Sequence, residues 1–146
     1  MNSGSCNGAR YSRTMSEENV EIVRSAYAEW ERGNFATPQF FDPSIQMTWV
    51  DPIFVPRAET QGIEELNRAM QEFLDAWENV TVTAERIVDA GDQVVTVNVW
   101  RARGRASGAR VEVRQGSVWT LSNGRVTRMV NYGDPAEAFA APGLSQ

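Results

Sequence analysis

The chain has 146 residues, of which 42% are hydrophobic and 23% charged, and these values predict one globular domain with one core. It contains no histidine and one cysteine, so an intrachain disulfide and a metal site built on thiolates or imidazoles are excluded. The net charge of −5 argues against nucleic-acid binding, and no apolar run approaches the roughly 20 residues that cross a bilayer. We therefore expect a cytoplasmic protein with no nucleic-acid or membrane partner and no metal or organic cofactor.

The first 14 residues carry no apolar pattern, and we interpret residues 1–14 as a weakly ordered extension of one domain over residues 15–146. They also lack the apolar core of a signal peptide. Ser16 is the predicted N-cap of a first helix, and Gly33 is expected to end it. Apolar positions recur in this helix at spacings of three and four, which predicts one buried face. These positions are Val20, Val23, Tyr27 and Trp30.

The next segment predicts a short turn or helix over residues 38–41, a break at Asp42-Pro43 and a strand over residues 45–50. Residues 55–62 are predicted to be loop. A second helix is expected to start at Gly62, and its apolar residues predict a second buried face. The residues of this face are Leu66, Met70, Phe73, Leu74 and Trp77.

Four strands are predicted over residues 80–88, 93–103, 110–121 and 125–132. Asp134 is expected to cap a short closing helix. Helices followed by a meander of antiparallel strands predict an α+β fold. A long sheet that curls under its helices would leave a cone with an apolar mouth, which is a natural small-molecule pocket.

The arginines are unevenly distributed, because residues 101–128 hold seven of them and one acid, Glu112. Such a stripe could bind phosphate or nucleic acid. The alternative is that the arginines alternate with Val and Trp on the solvent face of a sheet, and we favour it.

Asp51 is the main candidate for proton chemistry, because it lies in the nearly uncharged run of residues 47–55. A carboxylate among aromatic and branched side chains loses hydration, which favours its protonated form and can make it a usable general base at neutral pH. In a chain without histidine, carboxylates are the main groups left for this role. The alternative is that Asp51 is a turn residue before Pro52, bonded to the following backbone.

Five stretches in the right order resemble the SnoaL-like branch of the nuclear-transport-factor-2-like superfamily, and together they extend over residues 16–144. They are residues 23–34, 41–45, 87–95, 118–126 and 131–138. The resemblance implies a cone-shaped α+β barrel, in which about three helices cover a strongly curved mixed or antiparallel sheet. It also implies a homodimer, but it does not select a function, because this fold hosts isomerases, cyclases, dehydratases, epoxide hydrolases and non-catalytic binders.

Within this superfamily, the ketosteroid-isomerase pattern needs an Asp base together with a Tyr and a protonated Asp as oxyanion donors. The resemblance puts Asp51 at the base position. The Tyr position falls near Ala26, whose neighbour is Tyr27, and the second Asp position falls near Ser117. The base is therefore matched, whereas neither donor is matched in place.

Two other chemistries of the superfamily are not matched. The limonene-epoxide-hydrolase pattern needs an Asp-Arg-Asp set where this chain has Trp100, Asn98 and Asn131, and we reject it. The scytalone-dehydratase pattern relies on histidines, which the chain lacks.

The pocket residues that we predict combine amides, a hydroxyl and aromatic rings. Asn98 and Asn131 could donate hydrogen bonds to a substrate oxygen, and Trp100 and Trp119 could provide flat apolar walls. The alternative is that Tyr27 and the tryptophans only pack the core or a dimer interface. The full candidate set beside Asp51 is Tyr27, Trp49, Asn98, Trp100, Ser117, Trp119 and Asn131.

Two hypotheses of function follow. In the first, the protein is a cofactor-independent isomerase, cyclase or related lyase that binds a small hydrophobic, cyclic, oxygenated molecule. Asp51 would then move a proton at carbon next to a carbonyl, and Asn98, Asn131 or Ser117 would stabilise the charge that develops on the carbonyl oxygen. In the second, the protein is a non-catalytic ligand-binding or structural homodimer with the same fold.

Overall fold

In the computed structural model, which describes residues 14–50 and 58–144, three helices pack on one six-stranded sheet. The order of the strands across the sheet is β2-β1-β6-β5-β4-β3; β1 and β6 are parallel, and the other neighbours are antiparallel. The predicted α+β class is confirmed, with a mixed sheet that does not close. The elements are α1 (Met15–Glu31), a 3-10 turn (Pro38–Phe40), β1 (Phe41–Trp49), β2 (Glu59–Gln61), α2 (Ile63–Ala76), β3 (Trp77–Ala90), β4 (Gln93–Gly104), β5 (Arg110–Ser122), β6 (Arg125–Tyr132) and α3 (Pro135–Ala140).

Helix α1 begins earlier than the sequence pattern predicts. Its N-cap is Thr14, whose Oγ1 accepts from the backbone N–H of Glu17 at 3.1 Å while the Glu17 carboxylate accepts from the Thr14 backbone N–H at 3.0 Å. This reciprocal capping box satisfies two free N–H groups, so the predicted cap at Ser16 is wrong. Gly33 ends the helix as predicted, with a φ of 85° and a backbone N–H that donates to the Trp30 carbonyl at 2.9 Å.

Two predictions around the first strand are corrected. Strand β1 begins at Phe41, and the predicted break at Asp42-Pro43 is a register irregularity between Phe41 and Gln46 on the side that pairs with β6. Strand β2 lies within the predicted loop and pairs antiparallel with the second half of β1. With three residues, β2 is too short to produce a readable alternation.

Helices α1 and α2 cover one face of the sheet, and α3 covers the opposite face. Leu66 and Phe73 are buried residues of α2, as predicted, and Ala69 is the third. Trp77, which was also predicted on this helix face, belongs to β3. The Asp134 carboxylate caps α3 as predicted, by accepting from the Ala136 backbone N–H at 2.9 Å. No helix in the described ranges is long and apolar enough to cross a membrane.

Arginines of the middle strands pair at the solvent face with acids on other strands of the sheet, Arg101 with the adjacent strand β5 and Arg114 across β4 with β3. Arg101 Nε lies 2.7 Å from a Glu112 oxygen, and Arg114 Nε lies 2.7 Å from a Glu85 oxygen. Both pairs are at least 44% exposed, so each contributes little to stability. This arrangement favours the solvent-face interpretation of the basic stripe over a nucleic-acid site.

Gly116 on β5 sets how closely α3 approaches the sheet. A Cβ at this position would lie 2.6 Å from the Ala138 Cβ and 2.8 Å from the Pro135 Cα, so Gly116→Ala must displace the helix. We expect a loss of about 1–3 kcal/mol in the free energy of unfolding, measured by urea denaturation.

Gly104→Ala is the matched control. Its Cβ would lie 2.7 Å from the Ser107 hydroxyl, which can turn away, so we expect a smaller loss. Equal losses for the two variants would contradict the close approach of α3 to Gly116.

Candidate functional site

A cavity of about 80 Å³ lies between α1, α2 and the inner face of the sheet. One buried water needs about 10–15 Å³ on the same measure, so the cavity has room for several waters or a small organic group. Aromatic side chains from both helices and the sheet form much of its wall. They are Tyr27, Trp30, Phe35, Phe41, Trp49, Phe73 and Trp100.

Polar side chains interrupt the apolar wall on the sheet side of the cavity. Asn98 on β4 is 2% exposed and Asn131 on β6 is 7% exposed, and both line the cavity. Gln115 on β5 is also buried there, whereas Asn67 of α2 is exposed at its edge. Buried amides lose their hydration, so each needs partners within the protein or on a bound molecule.

Five buried side chains form one hydrogen-bonded chain, which we call the buried polar chain: Tyr27, Thr96, Asn98, Ser117 and Asn131. The Tyr27 hydroxyl donates to Thr96 Oγ1 at 2.9 Å and accepts from Asn98 Nδ2 at 2.9 Å. Asn98 Nδ2 also lies 3.3 Å from Ser117 Oγ, which accepts from it. Ser117 Oγ in turn donates to Asn131 Oδ1 at 2.7 Å.

The predicted site residues divide into two groups in the structure. Tyr27, Trp49, Asn98, Trp100 and Asn131 line the cavity. The other two do not line it.

Ser117 and Trp119 lie behind the wall and are 0% exposed. The Trp119 ring stacks on Trp30 with ring centroids 5.7 Å apart, and its Nε1 donates to Thr96 Oγ1 at 3.0 Å. Trp119 thus holds α1 on the sheet instead of forming the flat wall that we expected.

Asp51, the predicted base, falls in residues 51–57 and lies outside the described residues. Trp49 lines the cavity two positions before it, and the Val50 backbone N–H donates to the Asn131 carbonyl at 2.9 Å. The chain therefore leaves β1 beside the site, and the role of Asp51 stays a prediction.

Tyr27 is held in its neutral form. Burial raises the pKa of Tyr27 from 10.0 to about 12, and the hydrogen bonds with Thr96, Asn98 and Trp119 act in the opposite direction. Because its single hydroxyl hydrogen is donated to Thr96, Tyr27 has no hydrogen left for a substrate oxygen.

Sequence reasoning missed Thr96 and Gln115. Each lies two residues before a predicted site residue, Asn98 and Ser117, and therefore points to the same face of its strand. The two-residue alternation along each strand was therefore the sequence feature from which both residues could have been predicted. Asn67 and Thr37 line the cavity from a helix and a loop, where no such signal exists.

Residues 23–129 match the sequence profile of the SnoaL-like domain. The chain belongs to this family. The family resemblance predicted from the five ordered stretches is therefore confirmed. The chain matches no curated protein sequence.

Several solved structures share the fold of this chain. An NTF2-like protein from Burkholderia thailandensis is 24% identical with a TM-score of 0.70, over 82% of this chain and 90% of that one. A hypothetical protein with a ketosteroid isomerase-like fold from Catenulispora acidiphila, in complex with trimethylamine, is 20% identical with a TM-score of 0.65, over 85% and 93%. TerC, co-crystallised with polyporic acid, is 14% identical with a TM-score of 0.67, over 78% and 89%. At these identities the likeness establishes the fold and leaves the chemistry open.

The raised pKa of Tyr27 predicts a stability change at alkaline pH. Since the pKa is higher in the folded state, the stabilisation is fully present below pH 10 and is lost as the pH rises toward about 12. We expect Tyr27→Phe to lower the free energy of unfolding by about 1–2 kcal/mol at pH 7 through lost hydrogen bonds. The variant should also show a shallower decline between pH 10 and 12.

Urea denaturation at a series of pH values measures both effects, and Tyr132→Phe controls for the loss of a tyrosine elsewhere on the sheet. An alkaline decline in Tyr27→Phe as steep as that of the wild type would show that Tyr27 is not the group responsible.

Proposed function

We propose that this SnoaL-like domain binds a small hydrophobic, cyclic, oxygenated molecule in the cavity and that Asp51 acts on it as a general base. The observation that carries this proposal is the placement of two buried amides, Asn98 and Asn131, in an otherwise aromatic wall. An apolar cavity with a few convergent polar groups is the usual form of a small-molecule site.

The proposed reaction is of the isomerase or cyclase type. The Asp51 carboxylate takes a proton from carbon next to a carbonyl, and the electron pair of that C–H bond moves onto the carbonyl oxygen as an enolate. In a substrate with a C=C bond β,γ to the carbonyl, the enolate is a dienolate, and return of the proton to its γ-carbon moves the double bond into conjugation and completes an isomerisation. Attack of the enolate carbon on a second carbonyl within the same molecule, followed by protonation of the new alkoxide, completes a cyclisation.

Asn131 is the best placed donor for the developing oxygen charge. Its Nδ2 lies 3.4 Å from the Thr48 carbonyl oxygen and 3.2 Å from Met47 Sδ, and sulfur is a weak acceptor. The N–H that points at Met47 Sδ could therefore donate to a substrate oxygen instead, at little cost in free energy. Ser117, which we also considered for this role, gives its hydrogen to Asn131.

The co-crystallisation of TerC with polyporic acid supports an organic small molecule as the ligand class. The alternative function is a non-catalytic ligand-binding or structural homodimer. The hydroxyl hydrogens of Tyr27 and Ser117 are already donated to Thr96 and Asn131. Neither hydroxyl can therefore stabilise an oxyanion in this arrangement, which favours the alternative.

A blocked cavity should abolish binding. Asn67 is exposed at the cavity edge, so Asn67→Trp should fill the opening with little effect on the fold. Arg68→Trp changes the exposed neighbour, which does not line the cavity, and serves as the control. We expect cyclic ketones, lactones and aromatic polyketide-like compounds that raise the Tm of the wild type to raise that of Arg68→Trp but not that of Asn67→Trp.

Hits that stabilise both variants equally would place binding elsewhere on the protein. The absence of any hit would favour the structural homodimer, whose existence sedimentation velocity would establish.

Loss of the base should separate chemistry from binding. With a cyclic ketone that binds, we expect the wild type to exchange the α-hydrogens of the ketone for deuterium in D₂O, as followed by NMR. Asp51→Asn should slow this exchange by about 10²–10⁴-fold while the Kd changes little.

Asp75→Asn, at an exposed carboxylate of α2 that accepts from Gln71, is the matched control and should exchange at the wild-type rate. Exchange by Asp51→Asn at the wild-type rate would exclude Asp51 as the base. Binding without exchange in the wild type would support the non-catalytic alternative.

A further inference from the structure

Asn98 lines the cavity, and its side-chain oxygen is a buried acceptor that has no partner among the described residues. The residue is 2% exposed. Both Asn98 amide hydrogens have acceptors within the buried polar chain, on Tyr27 and Ser117. A buried acceptor that stays unpaired loses the hydration it had in the unfolded chain, so this oxygen favours any molecule that can donate to it.

The orientation of the Asn98 amide is set from the far end of the buried polar chain. The Thr48 carbonyl can only accept, so the Asn131 group that faces it at 3.4 Å must be the NH₂, and the Asn131 oxygen must face Ser117. That oxygen in turn requires the Ser117 hydrogen, which leaves Ser117 Oγ to accept. Among the described residues, the NH₂ of Asn98 is the donor to Ser117 Oγ, and the Asn98 oxygen is therefore left without a donor.

The other end of the buried polar chain does not oppose this orientation of the Asn98 amide. Thr96 Oγ1 accepts from Trp119 Nε1, which can only donate, and it has a second lone pair for the Tyr27 hydroxyl. Hydroxyl hydrogens rotate to suit their partners, so Tyr27 and Thr96 would accept either orientation of Asn98. The backbone carbonyl of Thr48 is thus the group that fixes the polarity of the site.

We infer that Asn98 is a specificity-determining residue whose Oδ1 accepts a hydrogen bond from a hydroxyl or N–H group of the ligand. This inference rests on the proposed ligand-binding function of the cavity. It narrows the ligand class to enols, phenols, alcohols and lactams over ethers, simple ketones and lactones. It also corrects the sequence-based expectation that Asn98 donates to a substrate oxygen. A site built with a polar group rejects an analogue that lacks the matching partner.

A matched pair of probes tests the inference on the full chain. 2-Quinolone and coumarin have nearly the same shape, but the lactam carries an N–H where the lactone carries an oxygen. Isothermal titration calorimetry gives the ratio of their Kd values for the wild type and for variants, and comparing ratios cancels the intrinsic difference between the probes. We expect the wild-type ratio to favour the lactam by about 3–10-fold more than the ratio for Asn98→Leu.

Ser117→Ala is a second variant that leaves the Asn98 side chain in place. Without the Ser117 hydroxyl, the Thr48 carbonyl no longer sets the orientation of the Asn98 amide. The amide can then turn its NH₂ toward the cavity. We expect the preference for the lactam to shrink toward equality or to reverse in favour of the lactone. This shift would not occur if Ser117 only packed the core, and it keeps the test decisive if Asn98→Leu fails to fold.

The outcomes separate this inference from the proposed function. Ratios that are the same in the wild type and in both variants, with binding that Asn67→Trp abolishes, would overturn only the inference and would indicate a resident water on Asn98 Oδ1. Binding of neither probe to the wild type would overturn the ligand site and the inference together.

Discussion

The buried polar chain is the constraint on which the rest of the site depends. It joins helix α1 to three neighbouring strands through side chains that are almost completely removed from water. An unpaired polar group in such a place costs a few kcal/mol, roughly 1–3 by mutational measures, so each member requires its neighbour. Because a backbone carbonyl can only accept, the direction of every hydrogen bond from Thr48 through Asn131 and Ser117 to Asn98 follows. The buried polar chain therefore does more than satisfy buried groups, since it determines which side-chain atom of Asn98 is left without a partner.

The aromatic core fixes the geometry that the buried polar chain requires. Trp119 stacks on Trp30 and lies near Phe41 with ring centroids 6.4 Å apart, so it holds α1 and the start of β1 against the middle of the sheet. Its indole N–H also satisfies Thr96, which links the packing to the polar network. The cavity lies between α1, α2 and the sheet, and its buried amides lie on the sheet side. Rigid aromatic packing behind a directed set of polar atoms is the kind of support that a selective site needs.

Much of the fold can be predicted from the sequence, because its elements follow the periods of helix and strand. The spacing of Val23, Tyr27 and Trp30 gives one helix face, and the long alternating strands are recovered to within a few residues. Strand β2 and the cap at Thr14 were missed for local reasons: β2 is too short for a period, and Ser16 is as good a capping side chain as Thr14. The family follows from the order of several stretches, each of which is weak alone.

The site is predictable only in part, because its function depends on which side chains meet across strands. Alternation places Asn98 and Ser117 on inner faces, but only the strand register, which pairs Thr96 with Ser117 and Ser117 with Asn131, brings their polar atoms together. For the same reason the sequence could propose Asn98 as a donor and could not reveal that its hydrogens are already used.

Neutron diffraction from a deuterium-exchanged crystal would show the direction of each hydrogen bond between Thr48 and Asn98, because it locates the hydrogens of the buried polar chain. We expect deuterium on Ser117 Oγ directed at Asn131, and two deuterium atoms on the Asn98 atom that faces Tyr27 and Ser117. Deuterium atoms on the other terminal atom of the Asn98 amide would contradict this direction of the hydrogen bonds.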